Sequence, residues 1–168
     1  YMSINNRNIS DLTGIENALN LQEINARQNN LTSVDLSNNL LLQYLYLDNN
    51  NISQIDLSNN TMLRWLNLSD NPLTTLDVSD LVDLYGFDLY GCDSLQYLDL
   101  SSNTNLVYLY VTDCDTLSEL DLRNSYLVNL NGHGLSNNPN LSCISVSNLL
   151  VANSVLNNVD PWVLFDLN

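Results

Sequence analysis

Apolar residues recur along this chain in one string, LxxLxLxxN, which returns every ten or eleven residues. One set of copies occupies 21–29, 42–50, 63–71, 84–92 and 106–114, with a degenerate copy at 127–134. A second set interleaves at 31–39, 52–60, 73–81, 95–103, 117–125 and 141–149. Within each unit the LxL alternation has period two, so both Leu side chains fall on one face of a short strand. Two units make one coil, and no coil can bury its apolar face alone. Stacking closes the core. The expectation is a mainly β, right-handed solenoid of about six coils with short parallel strands on two sides. Strands should centre near Leu45, Leu66, Phe87 and Leu109 on one side and near Leu36, Leu57, Val78, Leu100 and Leu122 on the other.

The residue closing each unit is most often Asn: Asn29, Asn50 and Asn71 in the first set, Asn39, Asn60 and Asn103 in the second. Turned inward, such an amide satisfies backbone groups that the turn leaves unpaired. Five Gly and three Pro are few for so many turns, so Asn and Asp must supply the tight conformations. Cys92 and Cys114 stand where Asn closes other coils and should point inward as small buried residues. A bridge between them is also conceivable, since stacked coils lie about 4.8 Å apart. Cys143 precedes an apolar strand position and has no partner within the repeat. The spacing of a zinc site is absent.

The ends break the pattern, as solenoid caps must. The chain divides as one domain into an N-terminal cap at 1–20, repeats at 21–146 and a C-terminal cap at 147–168. Ser10 is placed to cap a short helical turn through Leu12, Ile15 and Leu19. Residues 148–159 carry apolar positions suited to a helical lid, with Trp162 and Phe165 sealing the last coil.

Composition narrows the function. With 168 residues and 45% apolar content the chain is too apolar for disorder. Four basic against nineteen acidic residues give a net charge of -15, which disfavours nucleic acid and anionic lipid surfaces. No apolar run reaches the eighteen or so residues that a membrane helix requires, so membrane insertion is not expected. Tyr1 opens no signal-peptide pattern, consistent with a mature protein or an excised fragment.

The LTxLDLSxN of residues 31–39, its echo at 73–79, the NISDLTGIE of residues 8–16, the NPNLSCISV of residues 138–146 and the following VDPW together resemble the nested twenty-one-residue bacterial leucine-rich repeats of the IRREKO type. These occur in surface and secreted proteins of Bacteroidetes. The resemblance covers nearly the whole chain. It implies a secreted or surface-attached solenoid, often one module of a longer polypeptide, with a binding or adhesion role and no catalytic residues to carry over.

The two faces differ in chemistry. On the second sheet Asp35, Asp56, Asp77, Asp99 and Asp121 form a ladder flanked by Ser and Thr. Unit charges about 4.8 Å apart repel by about 0.9 kcal/mol in water, so hydroxyl hydrogen bonds and solvent, or else Ca2+, must offset them. The first sheet places Tyr44, Tyr46, Trp65, Tyr90, Tyr108 and Tyr110 outward among Asn, Asp and Ser. Large rigid rings mixed with small polar residues resemble a paratope, and the rings can equally stack on sugars or merely brace the sheet. His133, the only histidine, lies between two glycines where the repeat degrades and reads as a turn residue. Asp93-Ser94-Leu95 and Asp115-Thr116-Leu117 occupy equivalent turns and resemble the acceptor pattern for O-glycosylation in Bacteroidetes, at Ser94 and Thr116. The expected function is an extracellular binding module with a protein partner at the cell surface. A carbohydrate-binding module or a structural spacer of a larger protein or filament are the alternatives.

Overall fold

The computed structural model describes residues 1–123 and 127–167. The first set of units forms a seven-stranded parallel sheet: β1 (Met2–Ser3), β2 (Glu23–Asn25), β3 (Tyr44–Tyr46), β4 (Trp65–Asn67), β5 (Gly86–Tyr90), β7 (Tyr108–Thr112) and β9 (Gly132–Gly134). On the opposite side β6 (Tyr97–Asp99), β8 (Glu119–Asp121), β10 (Cys143–Ser145) and β11 (Leu164–Asp166) form a four-stranded parallel sheet. Ile24, Leu45, Leu66, Phe87 and Leu109 share one inward register and are fully buried. Leu31, Leu36, Leu57, Leu98, Leu100 and Leu120 fill the core from the other side.

The N-terminal segment contributes more than a cap. Met2 pairs with Ile24 in the sheet, so residues 1–20 form a further coil, and the solenoid has seven strands on this side where six coils were expected. A one-turn 3-10 helix does form at Ile15–Asn17, but Ser10 does not cap it. Gly14, at φ 102°, precedes it, and its N–H donates to the Glu16 carboxylate at 2.8 Å.

Inward Asn side chains tie coil to coil. The Asn71 amide donates to the carbonyls of Leu47, Leu68 and Ser69, while its Oδ1 accepts from the Ile52 N–H at 3.0 Å. Asn50 repeats this toward Ala26 and Leu31, and Asn29 toward Ile4 and Ile9. On the second edge Asn39, Asn60 and Asn103 each donate to two carbonyls of the preceding coil. Cys92 and Cys114 are buried and free; their thiols approach the Leu68 and Leu89 carbonyls at 3.5 and 3.4 Å, and their sulfurs face the backbone N–H groups of Asn71 and Cys92. A thiol is a poor acceptor. The N–H groups that an Asn oxygen would take turn instead to local carbonyls, Leu73 to Asn71 and Leu95 to Cys92. Burial pushes the Cys92 thiol up to about 12 and Cys114 to about 11, so both remain protonated and inert.

The second sheet is shorter than the sequence pattern predicts. Leu100 and Leu122 follow directly on β6 and β8, whereas Leu36, Leu57 and Val78 are buried but belong to no strand. Leu63 and Leu73 lie ten positions apart, Leu84 and Leu95 eleven. The coils with the longer connection also have five-residue strands, β5 and β7, on the first side. One more residue lets the backbone continue the first ladder and still come into register for the second.

The last first-side unit is also displaced. Leu109 pairs with His133 and Tyr110 with Gly134, so the unit runs 130–138 as LNGHGLSNN and closes on Asn138, not 127–134. His133 therefore takes the inward strand position of a Leu and is not a turn residue; burial holds its pKa below the ordinary value, opposed by a hydrogen bond with Asn157. The closing position of the 117–125 unit, Ser125, lies outside the described residues. Beyond it, α1 (Leu149–Val155) is capped by Asn148, whose side chain accepts from the N–H groups of Leu150 and Val151. Asp160 accepts from the N–H groups of Asn137 and Asn138, closing the end of the stack. Phe165 packs against the core, but Trp162 is 52% exposed and seals nothing.

Truncating Leu66 to Ala should cost roughly 2 to 5 kcal/mol through the cavity it leaves. Asn71→Ala should cost a comparable amount, because three donated bonds and one accepted bond vanish inside the stack. Urea unfolding reads both; an Asn71→Ala midpoint equal to the parent's would show that the amide does not hold the coils together.

Candidate binding face

The six aromatic residues singled out in the sequence all stand on the outer face of the seven-stranded sheet, in strands β3, β4, β5 and β7. Parallel register sorts them into columns. Glu23, Tyr44, Trp65, Gly86, Tyr108 and Gly132 share one column, and Asn25, Tyr46, Asn67, Asp88, Tyr110 and Gly134 share the next. Tyr90 pairs with Thr112 two residues farther along the strands.

Gly86 organises the first column. A Cβ there would lie 2.4 Å from Trp65 Cε3 and 2.5 Å from Cζ3, so only a glycine lets the indole lie across the neighbouring strand. Trp65 and Tyr108 thereby come within 5.9 Å centroid to centroid although a whole strand separates them. Tyr85, which the strand alternation did not single out, joins from the turn before β5 and meets Tyr108 edge-on at 5.4 Å. Gly132 does for the tyrosines what Gly86 does for the tryptophan: an added Cβ would lie 2.7 Å from the Tyr110 hydroxyl and 2.9 Å from Tyr108 Cδ1. The shifted register of the last unit thus presents Gly132 and Gly134 on this face.

An open groove of about 580 Å3 flanks the ring cluster, lined by Tyr44, Arg64, Trp65, Asp83, Tyr85 and Asn105. That is a volume suited to a small ligand or a large side chain. Across the strands the second column is polar. Trp65 Nε1 donates to Asp88 at 3.3 Å, and burial pushes the Asp88 carboxyl above its ordinary value, partly offset by that bond and by the charge of Arg27. Arg27 lies 4.3 Å over the Tyr46 ring, with Nε 2.8 Å from Asp48 Oδ1, an ion pair too bent to count as a hydrogen bond.

The Asp ladder opposite has local partners. Asp35, Asp56, Asp77 and Asp99 each accept from the N–H two residues on, at Ser37, Ser58, Ser79 and Ser101. Hydrogen bonds with the Ser37, Ser58 and Ser79 side chains, and then these backbone bonds, hold the carboxyls of Asp35, Asp56 and Asp77 below their ordinary value. Asp121 shares the register of Asp99 and accepts from the Arg123 N–H in the same way, but the Arg123 side chain clasps it and it is buried. Among the described residues no three His, Cys, Asp or Glu side chains converge as a metal ion would require. Both modification candidates are exposed; the Thr116 hydroxyl donates to the carbonyls of Asp93 and Leu95.

No protein-family model and no curated protein matches the chain. Solved structures do. The functional domain of InlJ from Listeria monocytogenes, described as including a cysteine ladder, is 26% identical with a TM-score of 0.60, covering 87% of this chain and 38% of that one. An internalin, InlF, from Listeria monocytogenes is 24% identical with a TM-score of 0.66, covering 97% of this chain and 58% of that one. The leucine-rich repeat domain of APL1B is 18% identical with a TM-score of 0.64, covering 86% of this chain and 56% of that one. The fold is that of a leucine-rich repeat protein. This chain spans less than two thirds of each of those three structures.

Gly86→Ala tests the organisation of the face. Overpacking should cost about 1 to 3 kcal/mol, and the displaced indole should shift Trp fluorescence to the red. An unchanged spectrum would mean that the ring does not depend on the glycine.

Proposed function

We propose that the chain is an extracellular binding or adhesion module, secreted or held at a cell surface, that recognises a protein partner through the outer face of its seven-stranded sheet. Tyr44, Tyr46, Trp65, Tyr90, Tyr108 and Tyr110 form the central contacts, and Tyr85 joins them. The observation that carries this reading is the linked cluster of Trp65, Tyr108 and Tyr85, raised from three neighbouring coils over Gly86. Rings fixed against one another offer large contact area with little entropy left to lose on binding. The leucine-rich repeat fold of the solved structures supports an interaction scaffold rather than a catalyst. Part of a longer bacterial surface polypeptide, of the Bacteroidetes type that the sequence resembles, is the natural context.

A glycan ligand is the second reading, favoured by the groove beside Trp65 and Tyr85. There aromatic walls stand next to Arg64, Asp83 and Asn105, whose donors and acceptors suit sugar hydroxyls. Screening against surface-protein libraries and glycan arrays separates the two. Trp65→Ala or Tyr108→Ala should weaken the partner found by about 2 kcal/mol or more. Asp56→Ala and Asp77→Ala on the opposite side should leave it unchanged, and the reverse pattern, with rescue by added Ca2+, would move the site to the Asp ladder. Modification at Ser94 or Thr116 is read from the intact mass of protein from the native host; the bare polypeptide mass would remove it.

A further inference from the structure

The aromatic face is bordered by two unlike edges. Along the turns that enter its strands, Leu19, Leu40, Leu41, Met62 and Val82 are exposed. Along the ends where the strands leave, Asp48, Asp70, Asp93, Asp113 and Asp115 follow one another from coil to coil. The Asp93 carboxylate accepts from the Asp115 N–H at 3.3 Å. Aromatic rings and carboxylates alternate across this half of the face, and the chain has only four basic residues, all Arg.

One of those four shows how the face holds a cation. Arg27 lays its guanidinium on the Tyr46 ring while its Nε sits against Asp48. Among the described residues the other ion pair is Arg123 with Asp121, on the far side of the solenoid. Asp88 lies beside the Trp65 indole within the field of Arg27, and Asp70, held by the Asn49 amide at 3.1 Å, lies near Asp48 and Asp93; among the described residues neither forms an ion pair. Burial pushes both carboxyls above their ordinary value, and the charges of Asp48 and Asp93 push Asp70 the same way. Such carboxylates are complementary to positive charge, of which the chain supplies this part of the face only Arg27, already paired with Asp48.

We infer that the partner presents an Arg- or Lys-bearing segment to this face, its cations seated between the rings of Trp65, Tyr90 and Tyr110 and the carboxylates of Asp88 and Asp70, as Arg27 is seated between Tyr46 and Asp48. This rests on the reading of the aromatic face as the partner surface. Cation over ring and carboxylate at its edge is the arrangement that survives desolvation best at an interface. The apolar edge on the opposite border accommodates the non-polar flank of the same partner. The strands and their flanking turns, six residues or so, put the two edges about 20 Å apart, so the partner is wider than a single helix.

Fluorescein-labelled hexa-arginine, titrated by anisotropy at about 0.05 M salt where screening is weak, tests the cation site without the native partner. The double variant Asp70→Asn/Asp88→Asn should weaken binding about tenfold, while Asp56→Asn/Asp77→Asn, which removes equal charge on the opposite side, stays within about twofold. Arg27→Ala vacates Tyr46 and Asp48 and should tighten binding several-fold more than Arg7→Ala, which changes net charge equally. Equal weakening by the two double variants, equal effects of the two Arg variants, or absence of binding to the parent would each overturn the inference. Loss of the native partner in Trp65→Ala alongside any of those results would leave the aromatic face as the binding surface and remove only its preference for cations.

Discussion

Every coil of this solenoid depends on satisfying polar backbone at the corners of a core too narrow for water. Strand ladders take care of the straight segments, but a turn that doubles back into the stack leaves N–H and carbonyl groups facing Leu side chains. A buried Asn supplies two donors and an acceptor at one point, and it reaches the coil before it as well as its own. On the first edge the residue just before each closing position adopts positive φ, at Gln28, Asn49, Asp70, Gly91, Asp113 and Asn137, and where the closing residue is Asn its amide holds the turn in that left-handed conformation. Unsatisfied groups at this place would cost more per coil than the packing of one Leu gains.

Substituting Cys for Asn at this corner alters the geometry around it. The Cys92 thiol keeps its reach to the preceding coil and faces the Asn71 N–H, but it does not take the Leu73 N–H as an Asn oxygen would, and that group closes locally on the Asn71 carbonyl. Cys92 and Cys114 coincide with the coils whose first-side strands lengthen to five residues and whose second sides become true strands. The solenoid is thus two structural regimes joined at β5: compact twenty-one-residue coils behind it, with an extended but unpaired second side, and longer coils ahead of it with a sheet on both sides. Gly86 and Gly91 bracket that junction, one beneath Trp65 and one in the left-handed turn at φ 63°.

Period two and the returning Leu were legible in the sequence, and with them the parallel sheet, the inward Asn and Cys, and the outward rings. Of the features that were not, three have a clear physical reason. The unit containing His133 was placed three residues early, because a His stands where Leu does elsewhere and the preceding connection is longer, so the apolar spacing pointed to Leu127 instead of Leu130. The second sheet was expected along the whole stack because side-chain alternation reports which face is buried, not whether neighbouring backbones are close enough to bond. Tyr85 was passed over because it precedes its strand, outside the alternation that marks facing; only the sheet register, which sets Gly86 between Trp65 and Tyr108, shows that its ring has company.

Uniform and variable positions along the repeats divide according to backbone duty. Asp35, Asp56, Asp77 and Asp99 each close a turn by accepting the N–H two residues on, so the monotony of that side is a requirement of folding and carries no information about a ligand. The inward Leu and Asn positions are constrained in the same way. The first outward column of the seven-stranded sheet has no such duty: Glu23, Tyr44, Trp65, Gly86, Tyr108 and Gly132 fill its six places with four residue types. Freedom from structural duty is what lets such a column be tuned to a partner. The glycines in it act through their neighbours, because each one removed a side chain that would have kept the adjacent rings apart.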